Sequence, residues 1–232
     1  MPATEWDAVN RDPPRGHVAS DTRKRIRSAA GDLYVLRGHD GFSFADIAET
    51  IGTTRANIHH HFGSKSRLMD ELIEQFATDA VIRIEHHWAD GNVPFFDRLR
   101  AQLEDLRRFY TRFNGKPGDR NVWSPLSRLR HDLLILGEPA ARALERANQA
   151  YDRCLKQALN HAVVSGELSQ EAPVEDLARV LRVLLLSCPS MTQDSGSFAE
   201  IERLFTSAAT MVSRAWGPQR AGRSRSTRRR VR

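Results

Sequence analysis

The sequence predicts an all-α protein: an N-terminal helix-turn-helix module followed by a larger helical domain. Three observations carry that expectation. Apolar side chains recur at three- and four-residue spacing from residue 21 to residue 216. No stretch alternates convincingly in the two-residue rhythm of a strand. Serine, threonine and glycine sit where short helices would start and stop.

Residues 1–20 read as a flexible arm, since Pro13, Pro14 and Gly16 break any regular pattern. Ile26, Ala29, Ala30 and Leu33 then mark the buried stripe of a first helix, which Gly38 and Gly41 end. Ser43 is a good N-cap for a second helix, and Asp46 three residues on completes a capping-box start. Phe44, Ile47, Ala48 and Ile51 give that helix two turns, and Gly52 stops it. Thr54 caps a third short helix that Gly63 closes. Three short helices joined by tight glycine turns describe a helix-turn-helix module over residues 21–66.

Ser64 caps a fourth, longer helix carrying Leu68, Leu72, Ile73 and Phe76 and running to about Trp88. Helices follow over roughly 95–113, 122–136, 138–164, 174–188 and 198–216, separated by "NGKPGDRN", a proline-bearing start at Pro139, and "SGELSQEAP". The domain 67–216 is thus helical throughout. Residues 217–232 hold seven arginines and no acid, more than the whole net charge of +6, which leaves residues 1–216 at −1. A segment this polar has no core to join and is expected to be disordered. It suits nucleic acid or an anionic membrane surface, and equally a solvated tail without a partner.

With 40% apolar residues the chain can bury a sizeable core, and two cysteines, Cys154 and Cys188, make no disulfide framework. The N-terminus is polar and proline-rich, unlike a signal peptide, and the apolar run "VLLLSC" is too short to span a bilayer. A soluble, cytoplasmic protein without membrane association is expected. No nucleophile motif, phosphate loop or metal-ligand spacing points to an enzyme, and no cofactor is called for.

The stretch "TTRANIHHHFGSK" at 53–65 is the most informative. Consecutive helical side chains are rotated by about 100°, so His59, His60 and His61 cannot converge on one metal, which would need an i, i+4 pair. Ile58 and Phe62 share the face that enters the core. Ala56 and His60 lie nearly opposite, with Asn57 and His59 on the flanks. The outward face is small, polar and free of acids, as entry into a major groove requires: Ala56 permits close approach, Asn57 pairs with an adenine edge, and imidazole hydrogen-bonds or stacks. A merely solvated face would carry Glu and Lys there. Lys65, in the first turn of the fourth helix, opposes the helix dipole and makes sense if an anion is expected. Arg55, Ser43 and Thr54 sit likewise at helix starts.

Residues 21 to about 76 resemble the TetR family of bacterial transcriptional regulators. The resemblance rests on Ser43 with Ile47 and Ala48, then Gly52, Thr54, Ile58, His61 with Phe62, and Ser64 with Lys65. It implies that Arg55, Ala56, Asn57 and His60 face bases and that Thr54, His59, His61 and Lys65 hold phosphates of a double-stranded DNA operator. His59 stands where the family usually has Tyr, and imidazoles gain charge in mildly acidic solution, which would tighten a phosphate contact there.

The resemblance further implies a small-molecule inducer and a homodimer built on the last two long helices as a four-helix bundle. The stripe Leu177, Leu181, Leu184 and Cys188 and the stripe Ile201, Phe205, Ala208 and Val212 are the expected dimer interface. Val180 and Leu185 widen the first, while Leu204 and Met211 flank the second. Apolar coverage this wide suggests burial against both the subunit and a partner. For the inducer, Phe109, Phe113, Trp123, His131, Tyr151 and Cys154 are the candidates, with aromatic residues at such spacing also serving as ordinary core. The arginines between 98 and 130 favour an acidic ligand or pair with local acids. The overall expectation is a repressor released from a palindromic operator by its inducer; the rival classes are an enzyme and a protein driven onto nucleic acid or membrane by its arginine tail.

Overall fold

The computed structural model describes residues 15–218, and the described residues form nine helices and no strand. The tail expected to be disordered lies outside them beyond Pro218, as does the arm before Arg15. Helix α1 spans Arg15–Arg37, beginning inside the segment expected to be an arm. It is followed by α2 (Phe44–Ile51), α3 (Arg55–Phe62), α4 (Lys65–Trp88), α5 (Phe95–Phe113) and α6 (Pro125–His131). The remainder is α7 (Leu133–Val164), α8 (Val174–Ser195) and α9 (Ala199–Trp216).

The chain divides into two compact units. The first comprises the residues up to Thr78 together with Val122–Leu144; the second comprises Asp79–Asn121 and Glu145 onward. The first unit therefore contains the three-helix module expected at 21–66 and adds the start of α4, all of α6 and the first turns of α7. Its core is Ile26, Ala30, Tyr34, Ile47, Ile58, Leu68, Leu72, Trp123 and Leu129, all at most 2% exposed. Tyr34 stacks on Phe76 at 5.8 Å between ring centroids.

Polar contacts tie α6 to the end of α1. Arg128 donates through Nε to the Val35 carbonyl at 2.9 Å and through Nη2 to the Leu36 carbonyl at 3.0 Å. Those are C-terminal carbonyls of α1, two of the groups that a helix leaves without partners of its own. Asp132 accepts from the His39 amide at 2.9 Å. Gly38 stands between, at φ +75, and a Cβ on it would lie 3.3 Å from the Asp132 carboxylate.

In the second unit Trp88, Phe95, Leu155, Leu159, Leu181, Cys188, Ile201 and Phe205 are buried. Trp88 donates its indole N–H to Gln102 at 3.0 Å, and the buried Arg98 donates to the Trp88 and Val93 carbonyls at 2.6 and 2.7 Å. The break expected at 136–138 falls at Gly137, whose φ of 59 and ψ of −140 are non-helical within α7. Two other boundaries differ from expectation. The helix expected over 122–136 is interrupted at Asp132, between α6 and α7. Helix α8 passes Cys188 and Pro189 and continues to Ser195. Its last carbonyls, on Gln193 and Asp194, accept from Arg120, and Gly196 at φ 69 ends it.

The stripes expected at the dimer interface are largely buried within their own chain. Leu177, Leu181, Leu184, Cys188, Ile201, Phe205 and Val212 are all under 9% exposed within their own chain, and Ala208 is half-buried. They pack inside the subunit, because the better-filled of the two apolar faces is the one that meets the rest of the chain. The apolar positions left outward are Val180 (62%), Val183 (58%) and Met211 (69%).

Candidate nucleic-acid interface

Helix α2 begins with a full capping box. The Ser43 hydroxyl accepts from the Ala45 and Asp46 amides at 3.2 and 3.4 Å, and Asp46 accepts from the Ser43 amide at 2.8 Å. The Ser43 hydroxyl donating to Asp46, then the Ser43 amide, and then Arg37 at 2.9 Å hold the Asp46 carboxyl below the usual carboxylate range. The Ser43 hydroxyl also donates to Asp46 at 2.5 Å, so its proton is already spent within the cap and a phosphate would have to compete for it.

Gly52 (φ 67, ψ 47) closes α2 in the left-handed conformation, and Arg25 donates to the Ile51 carbonyl at 2.8 Å. Thr54 then caps α3, its hydroxyl accepting from the Asn57 amide at 3.1 Å. Ile58 is fully buried and Phe62 is 3% exposed, so α3 is seated on two side chains one turn apart. This seating turns Thr54, Arg55, Ala56, His59 and His60 outward, all exposed; Asn57 and His61 are half-buried at the edges. Asn57 Nδ2 donates to Thr53 Oγ1 at 2.9 Å, which fixes the amide orientation along the flank.

The three imidazoles diverge. His59 stands edge-on to Phe44 at 6.3 Å, while the His60 and His61 rings are 5.6 Å apart and tilted by 64°. Partial burial, and then the charges of His60 and Arg23, keep His61 below the ordinary imidazole range.

Arg23 of α1 was not singled out by sequence. It donates to the His61 carbonyl and to Glu71 of α4, and its guanidinium lies 4.2 Å above the Phe62 ring. One side chain thus ties the end of the outward-facing helix to both neighbours. Its partners are 38 and 48 residues away, so spacing could not have revealed it.

The ammonium of Lys65, an expected phosphate contact, is engaged within the fold. It donates to the carbonyls of His39 and Phe42, the latter at 2.6 Å, and lies 4.5 Å from the Phe42 ring centroid. A cation at the start of α4, unfavourable to the helix dipole, is stabilised there by main-chain oxygens of the α1–α2 turn.

The inducer candidates are divided between the two units. Trp123 is buried and His131 exposed, both in the first unit; Phe113 and Cys154 are buried and Phe109 and Tyr151 half-buried in the second. Two grooves in the second unit are lined by other residues. One of about 280 Å³ lies between α5 and α9 over Phe96, Leu99, Leu103, Phe205 and Ala209. The other, about 430 Å³, lies beside Val93, His161 and Glu167. The arginines from 98 to 120 are engaged locally. Arg100 pairs with Asp97, Arg107 with Glu202 and Arg108 with Asp105, while Arg98 and Arg120 sit on main-chain carbonyls. That favours the local-pairing alternative over an acidic ligand.

Residues 26–72 match the family described as bacterial regulatory proteins, tetR family. The HTH-type transcriptional repressor AcnR of Corynebacterium glutamicum is 25% identical over 171 residues, covering 73% of this chain and 81% of that protein. The nucleoid occlusion factor SlmA of Vibrio vulnificus is 29% identical over 139 residues, covering 60% of this chain and 65% of that protein. The fold is that of a TetR transcriptional regulator from Chloroflexus aurantiacus, with a TM-score of 0.70 at 17% identity over 87% of this chain and 99% of the other.

Proposed function

We propose that this chain is a DNA-binding transcriptional regulator of the TetR family, acting as a homodimeric repressor released from a palindromic operator by a small-molecule inducer; the match of residues 26–72 to that family and the similarity to a named repressor support the reading. Residues 21–66 carry the reading function, and residues 67–216 carry ligand binding and dimerisation. The observation that supports this most is the outward face of α3. Ala56 and His60 are exposed, Asn57 flanks them, and no acid interrupts the helix between Arg55 and Phe62. Arg55, Ala56, Asn57 and His60 read base edges in a major groove, while Thr54, His59 and His61 hold the backbone on either side.

Homodimerisation is supported by Val180 and Val183 on α8 and Met211 on α9, large apolar side chains left more than half exposed. A two-fold pair would set two copies of α3 about one DNA turn apart, ~34–36 Å, and so require a palindrome. Inducer binding favours an arrangement of the two heads that no longer matches that spacing. The similarity to a named repressor supports repression as the outcome. No helix among the described residues is long and apolar enough to cross a membrane. Selection of bound duplex from a random pool tests the proposal. A palindromic consensus is expected, and recovery of no consensus would remove it.

A further inference from the structure

Lys65 and Arg67 stand two residues apart in the first turn of α4, yet they meet different surroundings. Two of the three donors of the Lys65 ammonium are spent on the His39 and Phe42 carbonyls, and the Phe42 ring lies beside it at 4.5 Å. Those carbonyls belong to a turn 23 and 26 residues earlier in the chain. Arg67 is exposed. Its amide is held by the Ser64 hydroxyl at 3.2 Å, and its Nη1 lies 3.6 Å from where a side chain on Gly63 would begin. The guanidinium therefore lies across the bare α3–α4 turn, at the end of the helix whose other face carries His60.

We propose that these two cations divide the work that the sequence assigns to one lysine. Arg67 is the α4 cation that engages an operator phosphate. Lys65 is a positioning residue that locks the start of α4 to the α1–α2 turn. The proposal rests on α3 being the DNA-reading helix. A guanidinium offers a planar fork of donors matched to two phosphate oxygens, whereas an ammonium already sharing two protons with carbonyls has one left to give. Gly63 matters for the same reason: a side chain there would begin 3.6 Å from the Arg67 guanidinium.

Salt dependence separates the two roles, because each phosphate neutralised on B-DNA contributes about 0.9 to the slope of log affinity against log salt. The full-length protein, Arg67→Gln and Lys65→Met are titrated against the selected operator over a salt series, with melting temperatures measured alongside. Arg67→Gln is expected to lower the slope by about 0.9 per reading head at an unchanged melting temperature. For two heads that is about twelvefold less affinity lost between about 50 and 200 mM salt. Lys65→Met is expected to melt several degrees lower and to keep the wild-type slope; if it does not fold, Arg67→Gln alone decides. An unchanged slope for Arg67→Gln overturns the proposal, as does a reduced slope for a Lys65→Met protein that melts like wild type. A wild-type protein without operator preference would instead overturn the functional reading, and this division of roles with it.

Discussion

Replacing Arg23 by Met removes a guanidinium and keeps most of the aliphatic stem. Three contacts of α3 and its surroundings go with it. The hydrogen bond to the His61 carbonyl contributes about 1 kcal/mol. The pair with Glu71 is 38% and 34% exposed on its two sides, so solvent screening holds it to about 0.5 kcal/mol. The cation 4.2 Å above Phe62 adds about 0.5 kcal/mol at such an exposed site. The loss is therefore about 2 kcal/mol, or roughly 4–8 °C for a chain of this size. Urea and thermal unfolding followed by circular dichroism measure it. A second readout is local: burial first, then the His60 and Arg23 charges, depress His61, so its ring resonances should titrate at higher pH in Arg23→Met. The sign for stability follows. A histidine depressed in the folded state contributes fully above the ordinary imidazole range, and that contribution is lost as pH falls through its folded value. Arg23→Met should therefore be less sensitive to mild acid than wild type. A stability change under about 0.5 kcal/mol, the usual scale of an inconsequential surface change, together with an unmoved His61 titration, would refute Arg23 as the tie of α3.

Other outcomes follow from the same structure. Ser43→Ala should cost about 1 kcal/mol at neutral pH through loss of the α2 cap. Because Ser43 holds Asp46 below its ordinary value, the Ser43–Asp46 part of the cap contributes fully above about pH 4 and fades as pH falls below it, so the gap between thermal melts of Ser43→Ala and wild type should narrow in acid. Val183→Glu combined with Met211→Glu, both at exposed positions, should give a folded monomer by sedimentation; a persistent dimer would place the interface elsewhere. Deleting residues 217–232 should weaken binding to all duplexes alike and leave operator preference intact, as competition with scrambled duplex will read. Loss of nearly all affinity would instead favour the tail as the principal binder.

Local signals in the sequence were enough for the reading module. The Ser43–Asp46 box, the Gly52 and Gly63 stops and the Thr54 cap each act within three or four residues, and the structure places all of them as expected. Ile58 and Phe62 share a face by helical arithmetic alone, and their burial fixes which face of α3 remains outside. Contacts that cross the chain were not legible. Lys65 finds its carbonyls more than twenty residues back, Arg128 reaches α1 over 93 and 92 residues, and Arg120 supports the end of α8 over 73. Periodicity also could not divide the broad apolar surfaces of α8 and α9. Both faces read as buried, and only packing shows that Leu181 and Phe205 are internal while Val183 and Met211 are not.

The claim on which all of this depends is that the exposed face of α3 meets DNA bases. Ala56→Glu tests it most directly, because Ala56 is exposed in the first turn of α3, where a carboxylate does not disturb the helix. Affinity for the selected operator is measured against scrambled duplex for wild type and variant, with melting temperature as the control. The account predicts a clear operator preference in wild type that is abolished in Ala56→Glu at an unchanged melting temperature. A variant that keeps wild-type affinity and preference would contradict it.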